Sequence, residues 1–216
     1  MKRRVVLLGP PGCGKGTVAS QLQIDFGLAH VSCGHWLRRE VELGTAIGRR
    51  TQAFLDKGHL VPDETVLEFM EQRLENELGK PGVLLDGFPR TLGQARALDA
   101  WLNERHLEID LVLFYECSEA VSFDRITGRR VCSKCGRGYH IRNKPPQRQS
   151  RCDECGAELV QRDDDTEAVL RNRLQVYIDQ TEPIVEYYRE QGKLTVFDAT
   201  KPSDAIYASS IEALKQ

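Results

Sequence analysis

Val5-Val6-Leu7-Leu8-Gly9-Pro10-Pro11-Gly12-Cys13-Gly14-Lys15-Gly16-Thr17 is the stretch that decides the fold. Its first four residues form a short, continuous apolar run, the pattern of a strand buried on both faces. Val18, Ala19, Leu22 and Phe26 then recur on one face of a helix that begins near Lys15. Between them, G-x-x-x-x-G-K is the phosphate-loop pattern, and a strand before with a helix after is the context that pattern requires. Glycines there let successive backbone N–H groups converge on phosphate oxygens. The helix N-terminus adds partial positive charge, and Lys15 adds a full one. The hydroxyl comes one residue late, as Gly16-Thr17 rather than directly after the lysine.

Outward from this loop, further apolar runs bounded by turn residues fall at 29–32, 83–85, 111–115 and 194–197. Helical patterns cover roughly 63–78, 93–104 and 203–214. The longest runs from about 166 to 190, with Leu170, Leu174, Ile178 and Tyr188 on its apolar face. Asp164 and Glu167 are spaced as a capping-box variant, and Pro183 is expected to kink this helix without ending it. Strands alternating with helices predict an α/β domain on a parallel sheet. Two stretches break the alternation: 33–61 has helical pieces and no strand, and 128–165 is polar and nearly devoid of aliphatic residues. No internal repeat is visible.

Val83-Leu84-Leu85-Asp86 sets a carboxylate at a strand end, where phosphate-loop enzymes hold Mg²⁺ or its waters, and Arg90 follows closely. In the polar stretch, Cys132-Ser133-Lys134-Cys135-Gly136 and Cys152-Asp153-Glu154-Cys155-Gly156 form C-x2-C, sixteen residues, C-x2-C. Four thiolates in two glycine-closed knuckles suit tetrahedral Zn²⁺. An iron–sulfur cluster would accept the same ligand types but has no evident task here. Seven cysteines, an odd number, with no secretory leader in view do not read as a disulfide framework.

Composition narrows the function classes. Of the 216 residues 40% are hydrophobic and 29% charged, which disfavours disorder, and no apolar run reaches the length of a membrane span. The first apolar run is too short for a signal peptide. A cytoplasmic protein without membrane partners is the expectation. Thirty basic against thirty-two acidic residues give a net charge of −2, unlike a general nucleic-acid coat. A zinc knuckle that binds nucleic acid is the reading from another class. The insert's nine Lys/Arg are offset by six Asp/Glu, and only Tyr139 could stack on a base.

With these motifs in hand the chain resembles the adenylate kinase family, nearly end to end. The resemblance rests on Gly9–Thr17 in its Gly-Lys-Gly-Thr form, on Asp86-Gly87-Phe88-Pro89-Arg90-Thr91 and on Gly58-His59-Leu60-Val61-Pro62-Asp63-Glu64. It rests also on Asp124-Arg125-Ile126-Thr127-Gly128-Arg129-Arg130, Arg162-Asp163-Asp164-Asp165 with Arg173, and Asp198-Ala199-Thr200-Lys201-Pro202. It implies reversible phosphoryl transfer from Mg-ATP to AMP, giving two ADP, by a chain that is usually monomeric. The implied architecture is a phosphate-loop parallel five-stranded sheet with helices on both faces (1–29, 62–127 and 166–216), a helical AMP-binding lobe (30–61) and a zinc-binding lid (128–165).

The resemblance also implies residue roles. Lys15 holds the β- and γ-phosphates, and Asp86 orders Mg²⁺ through water. Arg129, Arg162 and Arg173 surround the transferring group, and with Arg90 they complete the catalytic set. ATP is met by Gly12, Cys13, Gly14, Lys15, Gly16, Thr17, Arg125, Arg129, Gly138, Tyr139 and Lys201. AMP is met by Cys33, Arg38, His59, Leu60, Val61, Gly87, Phe88, Pro89, Arg90, Arg162, Arg173 and by Gln94, which reads the adenine edge. A kinase for UMP or CMP is the near alternative. Cys117, Trp36 and Trp101 read as packing, Cys13 as a small filler, His140 as a lid residue other than a fifth metal ligand. His30, His59 and His106 give no reason to infer a general base. The usual Ser-Thr-Gly-Asp is here Ser32-Cys33-Gly34-His35. Cys33 softens a polar contact to AMP, while His35 either faces solvent or an acid, or weakens Mg²⁺ binding as it titrates.

Overall fold

The computed structural model describes residues 1–78 and 80–216. In chain order the core elements are β1 (Arg4–Leu8), α1 (Lys15–Phe26), β2 (Ala29–Ser32), α2 (Cys33–Glu42), α3 (Ala46–Lys57), α4 (Asp63–Glu77), β3 (Val83–Asp86), α5 (Leu92–Asn103), β4 (Leu111–Glu116) and α6 (Glu119–Thr127). The lid strands β5 (Arg129–Cys132), β6 (Gly138–His140) and β7 (Leu159–Val160) follow, then α7 (Glu167–Val176), α8 (Pro183–Glu190), β8 (Leu194–Asp198) and α9 (Ser203–Lys215).

Among the described residues, five strands form one sheet in the order β2-β3-β1-β4-β8, every neighbouring pair parallel. The apolar runs of β1, β3 and β4 are continuous because both faces are covered, whereas the edge strand β8 is half-exposed. Val6 and Leu8 pack with α4, α5 and α8 on one side, while Val5 and Leu7 pack with α1 and α9 on the other. Chain direction around β1 switches between β3 and β4, which opens a crevice at the carboxyl ends of the strands, the usual ligand position in such sheets. The phosphate loop follows β1, Asp86 ends β3 beside Leu7, and Cys33 follows β2.

The helical lobe is α2 packed on α3; residues 30–32 of the 30–61 span are still sheet. The lid carries its own antiparallel sheet, β6-β5-β7. Its buried cluster is only Cys132, Tyr139, Cys152 and Leu159. Ordering a residue costs roughly 1–2 kcal/mol, and burying a large apolar side chain returns about 1.5–3 kcal/mol, so this cluster alone leaves the segment far short of stability.

Two expectations for the helix at 166–190 are corrected. Its cap is Thr166, whose side chain accepts from Val169 N–H; Asp164 is buried in ion pairs and does not cap. The helix widens over Tyr177–Thr181 into a π turn, closed by Glu182 N–H on the Tyr177 carbonyl at 2.9 Å. Pro183 brings no N–H to the ladder, and the extra residue in the turn shifts the phase of the apolar stripe. Ile178 therefore faces solvent, 51% exposed, while Tyr188 stays fully buried.

Gly48 sets the lobe's geometry. A Cβ there would stand 2.1 Å from the Glu40 carbonyl oxygen of α2. Gly48→Ala should force α3 off α2 and lower stability by about 1–3 kcal/mol in urea unfolding, against a small gain in helix propensity. An unchanged midpoint would contradict that packing.

Candidate active site

The phosphate loop owes its path to glycines. Gly9 has φ +142°, and a Cβ on it would come 2.4 Å from the Tyr115 carbonyl oxygen; Gly14, at φ +107°, is the residue from which α1 departs. Lys15 Nζ donates to the Gly9 and Pro10 carbonyls at 2.6 and 3.0 Å and lies 3.3 Å from Cys13 Sγ. Cys13 is buried in the core beneath the loop, a filler as its size predicts. Arg125 pins the loop to the segment before α9, donating to the Cys13 carbonyl at 3.0 Å and the Ala199 carbonyl at 2.7 Å. Lys201, in that same segment, is exposed.

Asp86 sits close to Gly16, whose Cβ would lie 3.5 Å from Oδ2, and His30 Nε2 lies 3.2 Å from the same oxygen. Burial would raise the carboxyl, but the His30 hydrogen bond and the charges of His30, Lys15 and Arg90 overcome it and hold it below the ordinary carboxylate value.

The arginines come together from distant parts of the chain. Arg38 of α2 and Arg173 of α7 both donate to Asp164 Oδ2, Arg38 at 2.8 Å. Arg129 of β5 donates to both oxygens of Asp165, with Nε at 2.8 Å, and Arg173 Nη1 lies 3.4 Å from Asp165 Oδ1. Arg90 Nε donates to the Gly87 carbonyl at 2.9 Å and reaches the space beside Gly34, as does Arg38. Burial, and then repulsion among neighbouring guanidiniums, lower Arg38 to about 10 and Arg162 to about 9. Five cations packed this closely form a site for an anion with several charges.

A cleft of about 520 Å³, including its open mouth, adjoins them. It is lined by Cys33, Arg38, Arg90, Gln94 and Arg173, with residues 58–61. Cys33 is buried, which pushes its thiol up to about 11 against the pull of Arg90, so it faces the cleft as a neutral S–H. Gly87 lines the same cleft, Phe88 is buried beneath it, and Pro89 leads into Arg90.

In the lid, Cys132 and Cys155 have sulfurs 3.4 Å apart, Cys135 and Cys152 3.6 Å, and Cys135 and Cys155 3.7 Å; all four lie within 4.8 Å of one another. A disulfide would need about 2.05 Å. Zn–S bonds of about 2.3 Å give a tetrahedron edge of about 3.8 Å, so the donor set fits a single ion of zinc's geometry better than a larger cluster. Tyr139 turns inward, its hydroxyl accepting from Asp153 N–H at 2.7 Å and lying 3.4 Å from Cys152 Sγ. Gly138, exposed on β6, leaves open space above its backbone. His140 Nδ1 accepts two N–H groups, from Arg142 and Asn143, so the proton is on Nε2, which donates to the Asp124 carbonyl and ties the lid to α6.

A family model described as Adenylate kinase matches residues 7–193. An adenylate kinase of Moorella thermoacetica is 44% identical over 211 residues, 98% of this chain and 97% of the relative. One from Clostridium perfringens is 41% identical over 214 residues, 99% and 98% of the two chains. One from Caldicellulosiruptor bescii is 47% identical over 193 residues, 89% and 90%. The chain belongs to the adenylate kinase family.

For this adenylate kinase family member, three groups escaped the sequence reading. His30 meets Asp86, and its sign was only its place one residue before the carboxyl half of β2, whose register pairs Ser32 with Asp86. Asp164 carried only the capping expectation and Asp165 only its place in the Arg162–Asp165 motif, yet both are buried against arginines. His35 is exposed, in line with the expectation that it faces solvent, and its ring also lies against the knuckle, where a Cβ on Gly136 would come 3.0 Å from Cε1. Partial desolvation against the knuckle, and then the Arg162 charge, hold the imidazole below its ordinary value, which favours the neutral ring.

Asp165→Asn leaves Arg129 and Arg173 facing a neutral amide. Losing one partner of a buried pair costs about 3–5 kcal/mol, so the urea midpoint should fall well below the parent's. A stability within about 0.5 kcal/mol of the parent, the size of an ordinary surface change, would contradict the pairing.

Proposed function

We propose that the chain transfers a phosphoryl group reversibly from Mg-ATP to AMP, giving two ADP, at the crevice where phosphate loop, lobe and lid meet. The supporting observation is the convergence of Arg38, Arg129 and Arg173 on Asp164 and Asp165, next to the cleft that Gln94 and Cys33 line. Phosphoryl transfer needs in-line positioning and positive charge around the equatorial oxygens more than covalent help. Lys15 and the amides of Gly12 to Thr17 bind the donor's terminal phosphates. Arg125 and Lys201 border its adenine, with backbone from Gly138 and Tyr139.

Arg38 and Arg90 grip the acceptor phosphate. His59, Leu60 and Val61 offer backbone to its base, Gln94 its amide and Cys33 its S–H, while Gly87, Phe88 and Pro89 shape the approach. Arg129, Arg162 and Arg173 take the transferring oxygens, exchanging carboxylates for phosphate as the lobe (30–61) and lid (128–165) close on the core (1–29, 62–127, 166–216). Mg²⁺, when bound with ATP, neutralises charge between the phosphates; Asp86, oriented by His30, holds its waters. Zn²⁺ held by Cys132, Cys135, Cys152 and Cys155 is structural, because four thiolates leave no open position. The chain works as a monomer in the cytoplasm, without nucleic-acid or membrane partners; no helix among the described residues is long and apolar enough to cross a membrane.

ADP formation from ATP with AMP, UMP, CMP and GMP in turn tests the assignment: AMP should be the best acceptor, and a better pyrimidine acceptor would overturn it. Lys15→Met and Arg90→Ala should fold normally and lose on the order of 100-fold or more in rate, since each removes charge from the transition state. Near-parental rates in either would refute the role.

The metal has its own test. One Zn²⁺ per chain should copurify, and chelation should lower the melting temperature and open 128–165 to protease, because binding energy on the order of 10 kcal/mol replaces a missing core. A metal-free chain with unchanged melting and lid resistance would show that the lid needs no ion.

A further inference from the structure

Gln94 is buried, 2% exposed, with both ends of its amide engaged. Oε1 accepts from Arg90 N–H at 2.8 Å, and Nε2 donates to Asp63 Oδ1 at 2.7 Å. Neither contact can be reversed. A backbone N–H only donates, so the atom facing Arg90 is oxygen; an ionised carboxylate only accepts, so the atom facing Asp63 is nitrogen. Asp63 is itself held. Its Oδ2 accepts from the Thr91 hydroxyl at 2.6 Å, and that hydroxyl accepts Gln94 N–H at 3.1 Å as the cap of α5. Asp63 also lies in the first turn of α4, where the helix favours negative charge.

One N–H and one lone pair of the amide are left without a partner among the described residues, side by side on a residue that lines the cleft. Such a pair complements an exocyclic amine next to an unprotonated ring nitrogen. Adenine shows that pattern on either edge, N6 with N1 or N6 with N7, and cytosine shows it as N4 with N3. A 6-oxopurine offers O6 beside N1–H, the reverse, or O6 beside N7, two acceptors; uracil offers O4 beside N3–H, again the reverse. A free amide would turn over to meet the reversed pattern. This one would then set N–H against N–H at Arg90 and oxygen against carboxylate at Asp63.

We propose that Asp63 is a specificity-determining positioning residue: it locks the Gln94 amide in one sense, so the acceptor site takes 6-aminopurine monophosphates and rejects 6-oxopurine ones. The inference rests on Gln94 touching the acceptor base, as read above. A buried polar site that leaves a wrong partner unpaired discriminates strongly, whereas shape alone does so weakly.

The test compares kcat/KM for AMP and for inosine monophosphate, which differs in the atom at position 6 and the proton on N1, at saturating Mg-ATP. The parent should prefer AMP by about 100-fold or more, and Asp63→Ala should narrow that ratio on the order of tenfold while leaving the KM for ATP alone. Asp63→Asn still offers an oxygen to Nε2 and should keep most of the ratio; a purely structural role at the start of α4 would instead lower both acceptors together in both variants. Thr91→Val, which removes the hydroxyl bracing Asp63, should narrow the ratio too and serves if Asp63→Ala does not fold. A parental ratio in Asp63→Ala or Thr91→Val, with the ratio lost in Gln94→Ala, overturns the lock alone. A parental ratio in Gln94→Ala overturns the base contact and the lock with it.

Discussion

Like charges held close together are the constraint on which this structure turns. Arg38, Arg129 and Arg173 lie near enough to share two carboxylates, with Arg162 and Arg90 among their electrostatic neighbours. No short segment could assemble such a group, because its members come from α2, the loop after β3, β5 and the stretch from Arg162 into α7. The parallel sheet and its two covering layers fix the core members; the lobe and lid bring the others. Asp164 and Asp165 make the gathering tolerable before a phosphate arrives, since buried cations without partners would cost several kcal/mol each. The acidic pair occupies the guanidinium faces that the proposed reaction assigns to phosphate.

The lid shows how a segment without a core can still be precise. Its strands are short, and its apolar contacts are few. Order comes from the four-thiol centre, from Tyr139 bridging Asp153 and Cys152, and from His140, which fastens the base of the lid to α6. Gly128 has to be glycine for that fastening, because a Cβ there would stand 2.2 Å from His140 Nε2. Arg129, the next residue, is held by its paired hydrogen bonds to Asp165.

Much of this was legible in the chain. The five apolar runs became the five parallel strands; β1, β3 and β4, buried on both faces, left an uninterrupted signature, while β8 at the sheet edge is apolar yet half-exposed. The thiol spacing was legible because knuckle geometry is local. Asp86 stood out at a strand end beside a phosphate loop. What could not be read depends on distance along the chain: Arg38 meets Asp164 across 126 positions, and His30 meets Asp86 across 56. Ile178 fits the apolar stripe only if a strict 3.6-residue period continues past Val176; the helix widens over Tyr177–Thr181, and Ile178 turns to solvent there. Thr166 was passed over as a cap in favour of Asp164, whose carboxylate is engaged with arginines.

One site spanning the phosphate loop, lobe and lid is the central claim. Calorimetric titration with an analogue that joins two adenosines through a polyphosphate chain addresses it directly. The account predicts one molecule bound per chain, more tightly than ATP or AMP alone, with the advantage lost in Arg173→Ala. Two independent molecules per chain, or an affinity no better than that of ATP, would contradict it.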